Sequence, residues 1–181
     1  FQHISDPVLK KMNRKITRKE IEATMARVRR KLPDVAWRTT FIVGFPTETD
    51  QDFEELVDFV SEGHFQHLGI FLYSDEDNIR SSKFGDPIPL SLKEERKNRL
   101  MEIQQKISRE HHQKMVGSLQ QVLVGGFSSE TDLLLEGRNQ YQGPEVDGVV
   151  YINEGNATSA GFHQVEITEA HEYDLVGKIL N

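Results

Sequence analysis

The groups best placed to do chemistry lie along Arg38-Thr39-Thr40-Phe41-Ile42-Val43-Gly44-Phe45-Pro46, a guanidinium and two hydroxyls on a short apolar run ending in a turn. The planar fork of Arg38 suits a carboxylate. It is equally suited to pairing with an acidic helix residue. Thr39 and Thr40 alternate across a strand, so at most one faces a ligand. Gly44 would let a ligand approach the main chain closely. Gln2 offers an amide that both donates and accepts, and His3 follows it. Phe71 and Tyr73 share one side of a second apolar run, where core packing is their commoner use. These groups bind and orient; they do not make bonds. No Gly-x-Ser-x-Gly elbow, phosphate loop or H-E-x-x-H occurs, so no catalytic residue is assigned. His111 and His112 point about 100° apart on a helix and cannot share one metal well. Asp75-Glu76-Asp77 lacks the spacing of a calcium loop. No metal site is expected.

Bulk composition narrows the classes further. The chain has 181 residues, 36% of them apolar, which allows one domain or two small ones. It has no cysteine, which excludes a disulfide framework and thiolate metal ligands. No apolar run approaches the roughly 20 residues that span a bilayer, and no signal peptide is visible. A cytoplasmic location is the expectation. The net charge of −7 is unevenly placed. Residues 117–181 hold two strong bases, Arg138 and Lys178, against ten acids, while the first 116 residues are close to neutral. An acidic surface of this kind repels phosphate backbones and suits a basic partner.

Periodicity supplies the elements that must position these groups. Asp6-Pro7 fits a helix start. Thr17 and Glu20 form a capping box ahead of Ile21, Met25, Val28 and Leu32, an amphipathic helix. Residues 36–43 read as a strand buried on both faces. Thr49 caps a helix with Phe53, Leu56, Val57 and Val60 inward, and Gly63 can end it. Residues 67–73 form the next strand, so the first part is built of parallel βα units. Residues 74–90 read as a loop. Ser91 and Glu94 suggest another capping box, opening a long helix to about Met115. After Gly117 the period shortens to strands at 121–124, 133–137, 149–152, 164–167 and about 173–180. Five short strands suggest a small closed barrel. Residues 155–161 are expected to be a hairpin tip.

Five stretches carry a resemblance to the methylthiotransferase family: residues 2–14, the run ending Gly44-Phe45-Pro46, residues 69–74, Thr131 to Arg138, and Pro144 to Ile152. The likeness is closest to the type that acts on a ribosomal protein. Thr47 stands where glycine is common, and residues 75–82 lack the family's usual small insert. The resemblance implies an α/β fold: the later strands of a partial open (βα) radical-SAM barrel over residues 1–90, a connector helix over 91–116, and a small all-β, OB-like TRAM barrel over 117–181. It implies S-adenosylmethionine as cofactor, with Gln2, His3, Arg38, Thr40, Val43, Gly44, Phe71, Leu72 and Tyr73 as cofactor-binding candidates. It also implies two 4Fe–4S clusters whose cysteines this chain does not carry.

The expected function follows from that resemblance. The chain is read as a piece of a larger enzyme that inserts a methylthio group at an aspartate of small-subunit ribosomal protein twelve. By itself it is expected to be inactive, and its acidic barrel would meet the basic ribosomal protein. One alternative is the sister type, which modifies an adenosine in tRNA. The acidic barrel argues against it, and Tyr141, Tyr151 and Phe162 are expected to fill the barrel core rather than stack on bases. Another is a non-catalytic binding module. A half-barrel edge left unpaired would favour dimers or aggregation.

Overall fold

The computed structural model describes residues 1–76, 80–155, 157 and 160–180. Asp77, in the loop screened for calcium, lies outside the described residues, as do Asn156, Thr158 and Ser159 of the expected hairpin tip. The chain divides into two compact units, 1–104 and 105–181.

In the first unit, α1 (Asp6–Lys11) and α2 (Arg18–Lys31) precede β1 (Arg38–Val43). Next come α3 (Asp50–Ser61), β2 (His67–Leu72), a 3-10 turn (Arg80–Phe84) and α4 (Leu90–Gln113). The capping box expected at Thr17 and Glu20 forms, and the Thr49 cap closes a further box with Asp52. Gly63 turns the chain out of α3 at φ +71°. The α4 start differs from expectation. The helix begins at Leu90, and the amides of Leu92 and Lys93 donate to the Pro89 carbonyl, so Ser91 lies inside the helix. The preceding loop also contains the 3-10 turn.

β1 and β2 pair in parallel, Arg38 opposite His67 through Val43 opposite Leu72. Paired residues share a face in this register. One face carries Phe41, Val43 and Ile70 into a core with Ile21 and Met25 of α2, Phe53, Leu56 and Val60 of α3, and Leu100 of α4. Burying each such side chain contributes about 1.5–3 kcal/mol. The other face carries Thr40 and Ile42, which are half-buried, and Phe71, which is exposed. β1 is therefore buried on one face only, because the helices pack against a single side of the sheet. Segment 2–4 lies beside β1 through a bond from the Ile42 amide to the Gln2 carbonyl (3.0 Å).

The second unit is a closed barrel. Its strands are β3 (Leu119–Phe127), β4 (Leu135–Asn139), β5 (Val150–Glu154), β6 (Gly161–Ala170) and β7 (Leu175–Ile179). They close in the order β3-β4-β5-β7-β6, with β5 and β7 parallel and β6 returning to β3. This is the strand order of an OB-like barrel. Val122, Val124, Val150, Ile152, Val165, Ile167, Leu175 and Ile179 fill it. Phe162 does not: it is 68% exposed on the outer face beside Leu123. Strand alternation decides this, since Val165 and Ile167 take the inward positions of β6.

Gly177 of β7 pairs with Ile167 of β6. A Cβ there would lie 2.5 Å from Val165 Cγ1 and 2.7 Å from the Glu166 carbonyl oxygen. Gly177→Ala is expected to destabilise the barrel by about 1–3 kcal/mol through overpacking. Urea denaturation followed at barrel-specific resonances measures it, and an unchanged midpoint would refute the packing argument.

Candidate functional site

The first unit contains a groove of about 400 Å³ at the C-terminal ends of β1 and β2. It is lined by Gln2, Ile42, Phe45, Phe71, Leu72, Tyr73, Ser74 and Ser81 from the sheet and its loops, and by Lys11, Met12, Asn13 and Arg14 after α1. Parallel βα folds bind ligands at this end of the strands. Behind it, Val8, Phe45 and Tyr73 form a small buried cluster. The Phe45 ring meets Tyr73 edge-on at 5.3 Å between centroids and Phe84 at 6.1 Å. Phe71 is 60% exposed, so its ring presents an apolar surface rather than joining the core.

Of the nine residues proposed from sequence, the groove gathers four: Gln2, Phe71, Leu72 and Tyr73. Thr40 shares the face of Ile42 and Phe71 but lies outside the lining. Arg38 is exposed at the opposite end of β1 and engages other residues. Val43 is fully buried in the core, and only its carbonyl reaches toward the site, accepting the Tyr73 amide at 2.9 Å. His3 is fully buried: its Nδ1 accepts the Ser5 amide at 3.0 Å, and its Nε2 lies 3.4 Å from Glu48 Oε2.

Gly44 has a different role from the one its type suggested. Its φ of +74° favours glycine, and a Cβ would lie 2.3 Å from Lys93 Cγ. The close approach serves the Lys93 stem, not a ligand. Lys93 Nζ then donates to the Tyr73 carbonyl (2.9 Å) and to Asp86 (2.5 and 2.6 Å). Beneath the same turn, Glu48 is buried. It accepts the Gly44 amide (3.1 Å) and Arg96 Nη1 (2.6 Å), and Arg96 also donates to Asp50 (2.6 Å).

A second carboxylate, Asp52, accepts a short hydrogen bond from Ser5 Oγ and bonds from the Thr49 hydroxyl (2.6 Å) and amide (2.9 Å). Burial opposes its charge, but these bonds and nearby His3 outweigh burial and hold its pKa below the ordinary aspartate value. No group of three or more His, Asp or Glu suited to a metal occurs among the described residues. His112 is buried, and its Nδ1 donates to the His171 carbonyl at 3.1 Å, a structural use.

Sequence reasoning missed the α1 contribution to the groove. Its signal was present: two lysines end the helix, and Asn13, which tolerates a left-handed conformation, follows. The deciding fact, that this turn folds over the ends of β1 and β2, is tertiary.

Comparison with known proteins agrees with this architecture. Residues 1–60 match the radical SAM superfamily, and residues 116–180 match the TRAM domain. The class is thus a radical SAM segment joined to a TRAM barrel. Over 99% of its length the chain is 50% identical to the ribosomal protein uS12 methylthiotransferase RimO of Bdellovibrio bacteriovorus, of which it covers 39%. It is 43% identical over its full length to the RimO of Geobacter sulfurreducens, covering 40% of that protein. The chain is thus similar along its whole length to RimO-type methylthiotransferases, and it spans about two fifths of the length of these relatives.

Two outcomes test the buried network. Arg96→Ala leaves Glu48 buried without its cation and should cost about 3–5 kcal/mol in chemical denaturation. A loss under about 1 kcal/mol would mean that the pair contributes little. Asp52, titrating below its ordinary value, contributes stability that is complete above the ordinary aspartate range. That stability is lost as pH falls through the lower folded value. Urea midpoints of wild type and Asp52→Asn should differ near neutrality and converge in acid. Parallel curves across the acid range would contradict the assignment.

Proposed function

We propose that this chain supplies the cofactor-orienting groove and the partner-binding barrel of an enzyme that methylthiolates an aspartate of small-subunit ribosomal protein twelve. The observation that carries the reading is whole-chain likeness to RimO together with a groove at the strand ends of the radical SAM segment. Residues 1–90 are read as the later strands of an open radical-SAM barrel, 91–116 as a connector and 117–181 as the TRAM barrel. The location is read as cytoplasmic; no helix among the described residues is long and apolar enough to cross a membrane.

The groove fits S-adenosylmethionine. Gln2 can hydrogen-bond a ribose, the exposed Phe71 ring with Ile42 and the Leu72 backbone suits the adenine, and the Tyr73 carbonyl is held by Lys93 at the rim. His3, Val43 and Gly44 support the turn behind the groove, while Arg38, at the far end of β1, and Thr40, outside the lining, are not part of this reading. When bound with its cluster, the cofactor supplies a carbon radical able to take hydrogen from an unactivated carbon. The chain's own part is to hold the adenosine, exclude water and fix the groove walls. With no cysteine, the chain offers no thiolate to either of the two 4Fe–4S clusters that the reading requires, so alone it is inactive.

The acidic barrel is read as the contact for the basic ribosomal protein. Burial raises the pKa of the Tyr151 hydroxyl, and Glu130, Asp174 and Glu136 raise it further, a local sign of that negative field. Exposed Phe162 favours a second reading, the tRNA-modifying type, since an outward ring can stack on a base. Edge pairing between copies through the open sheet is a further element of the proposal.

Competition between labelled ribosomal protein twelve and bulk tRNA for the full chain, at near-physiological salt, separates the two. The ribosomal protein is expected to win, with affinity falling as salt rises. Preference for tRNA would transfer the assignment to the tRNA type.

A further inference from the structure

Helix α2 concentrates positive charge in an acidic chain. It carries six bases against two acids, while the whole chain carries −7. Both acids are engaged at the start of the helix. Glu20 accepts from the Thr17 amide and hydroxyl (2.8 Å each), and Glu22 accepts from Arg18 Nε (2.8 Å). Arg29 Nη2 donates to the His64 carbonyl (3.2 Å). The other four bases, Lys19, Arg27, Arg30 and Lys31, are exposed and make no ion pair among the described residues.

Their placement follows from helical geometry. Ile21 and Met25 are buried and define the inner face. At about 100° per residue the opposite face is Lys19, Ala23, Ala26 and Arg30, with Arg27 beside them. All five are exposed. Lys19 and Arg30 lie about 16 Å apart along the axis. A single phosphate or carboxylate cannot bridge that distance, whereas a repeating anion can. Ala23 and Ala26, between the two cations, let a backbone lie close to the helix. Helix stability does not explain the pattern. The macrodipole favours cations in the last turn, where Arg29, Arg30 and Lys31 lie. It disfavours Lys19 in the first turn, and Arg27 falls short of the last.

We infer that the outer face of α2 is a docking surface for the phosphate backbone of folded RNA. Lys19, Arg27, Arg30 and Lys31 neutralise phosphates there without reading base sequence. Charge complementarity selects a polyanion, and segment 117–181, with two bases against ten acids, repels one. A membrane-surface helix would set large apolar side chains against lipid, and the outer face of α2 presents two alanines instead. The docking surface stands on charge and geometry alone. The source of the RNA, the particle that holds the ribosomal protein, rests on the function proposed above.

The test measures binding of the full chain to a fluorescently labelled RNA hairpin by anisotropy across a monovalent salt series. Four phosphate contacts predict a log–log salt slope of about −3. Arg27→Gln combined with Arg30→Gln should weaken binding at least about tenfold at about 50 mM salt and flatten the slope by about two. Glutamine has a helix propensity close to that of arginine, and an unchanged urea midpoint verifies the fold. Lys106→Gln combined with Lys114→Gln removes the same charge from exposed positions elsewhere and should leave the affinity nearly unchanged. Equal loss in both double variants would reduce the binding to net charge and overturn the surface. Loss on Phe162→Ala with the α2 variant unaffected would place the RNA on the barrel and also overturn it. Tighter, α2-dependent binding to phosphatidylcholine vesicles with about 30% phosphatidylserine would make this a membrane surface and overturn the RNA assignment. Absence of hairpin binding at about 50 mM salt would overturn it outright. Hairpin binding that depends on α2, in a chain that fails to bind ribosomal protein twelve, would uphold the surface and overturn the partner proposed above.

Discussion

The groove depends on one buried carboxylate. Glu48 accepts from the Gly44 amide and from Arg96, and stands beside His3. It therefore joins the segment before α1, the turn after β1 and the helix α4, which are far apart in sequence. A carboxylate out of water is costly unless its lone pairs are taken up by cations or amides. Here that requirement is met by groups on separate elements, so satisfying the charge also fixes their relative positions. Asp52 repeats the device one turn later, capping α3 while accepting from Ser5.

α4 extends this control to the groove rim. Its Lys93 passes over Gly44, where no side chain is tolerated, and reaches the Tyr73 carbonyl. Tyr73 packs edge-on against Phe45, and Phe45 borders the same groove. The result is a rigid wall behind an exposed Phe71. Such a division, a polar scaffold beneath and an apolar surface above, is what a site for a flat ligand with charged ends needs.

The barrel solves a different problem. Eight buried aliphatic side chains fill its interior, four of them valine. Strand alternation gives the inward positions of β6 to Val165 and Ile167 and leaves Phe162 on the outer face. The outer face combines exposed apolar groups with a strong acidic excess. In general, apolar contact contributes affinity at a surface of this kind, and its charge influences which partners are attracted or repelled.

Much of this was legible in the chain itself. The capping box at Thr17, the helix cap at Thr49, the parallel βα order and the five short strands follow from rules acting within a few residues, and the structure contains them. The cysteine count and the charge asymmetry are properties of composition and need no fold. What tertiary structure alone decided is where side chains point and what they meet. Val43, Gly44 and His3 carry types that suit a ligand, yet packing turns Val43 into the core, fills the space over Gly44 with Lys93 and buries His3 beside Glu48. Lys11 and Arg14 gave little sign of belonging to a site until the turn after α1 was seen at the ends of β1 and β2. The reason is range: local periodicity fixes an element and its faces, while a groove is made by residues tens of positions apart whose meeting depends on the packing of the whole unit.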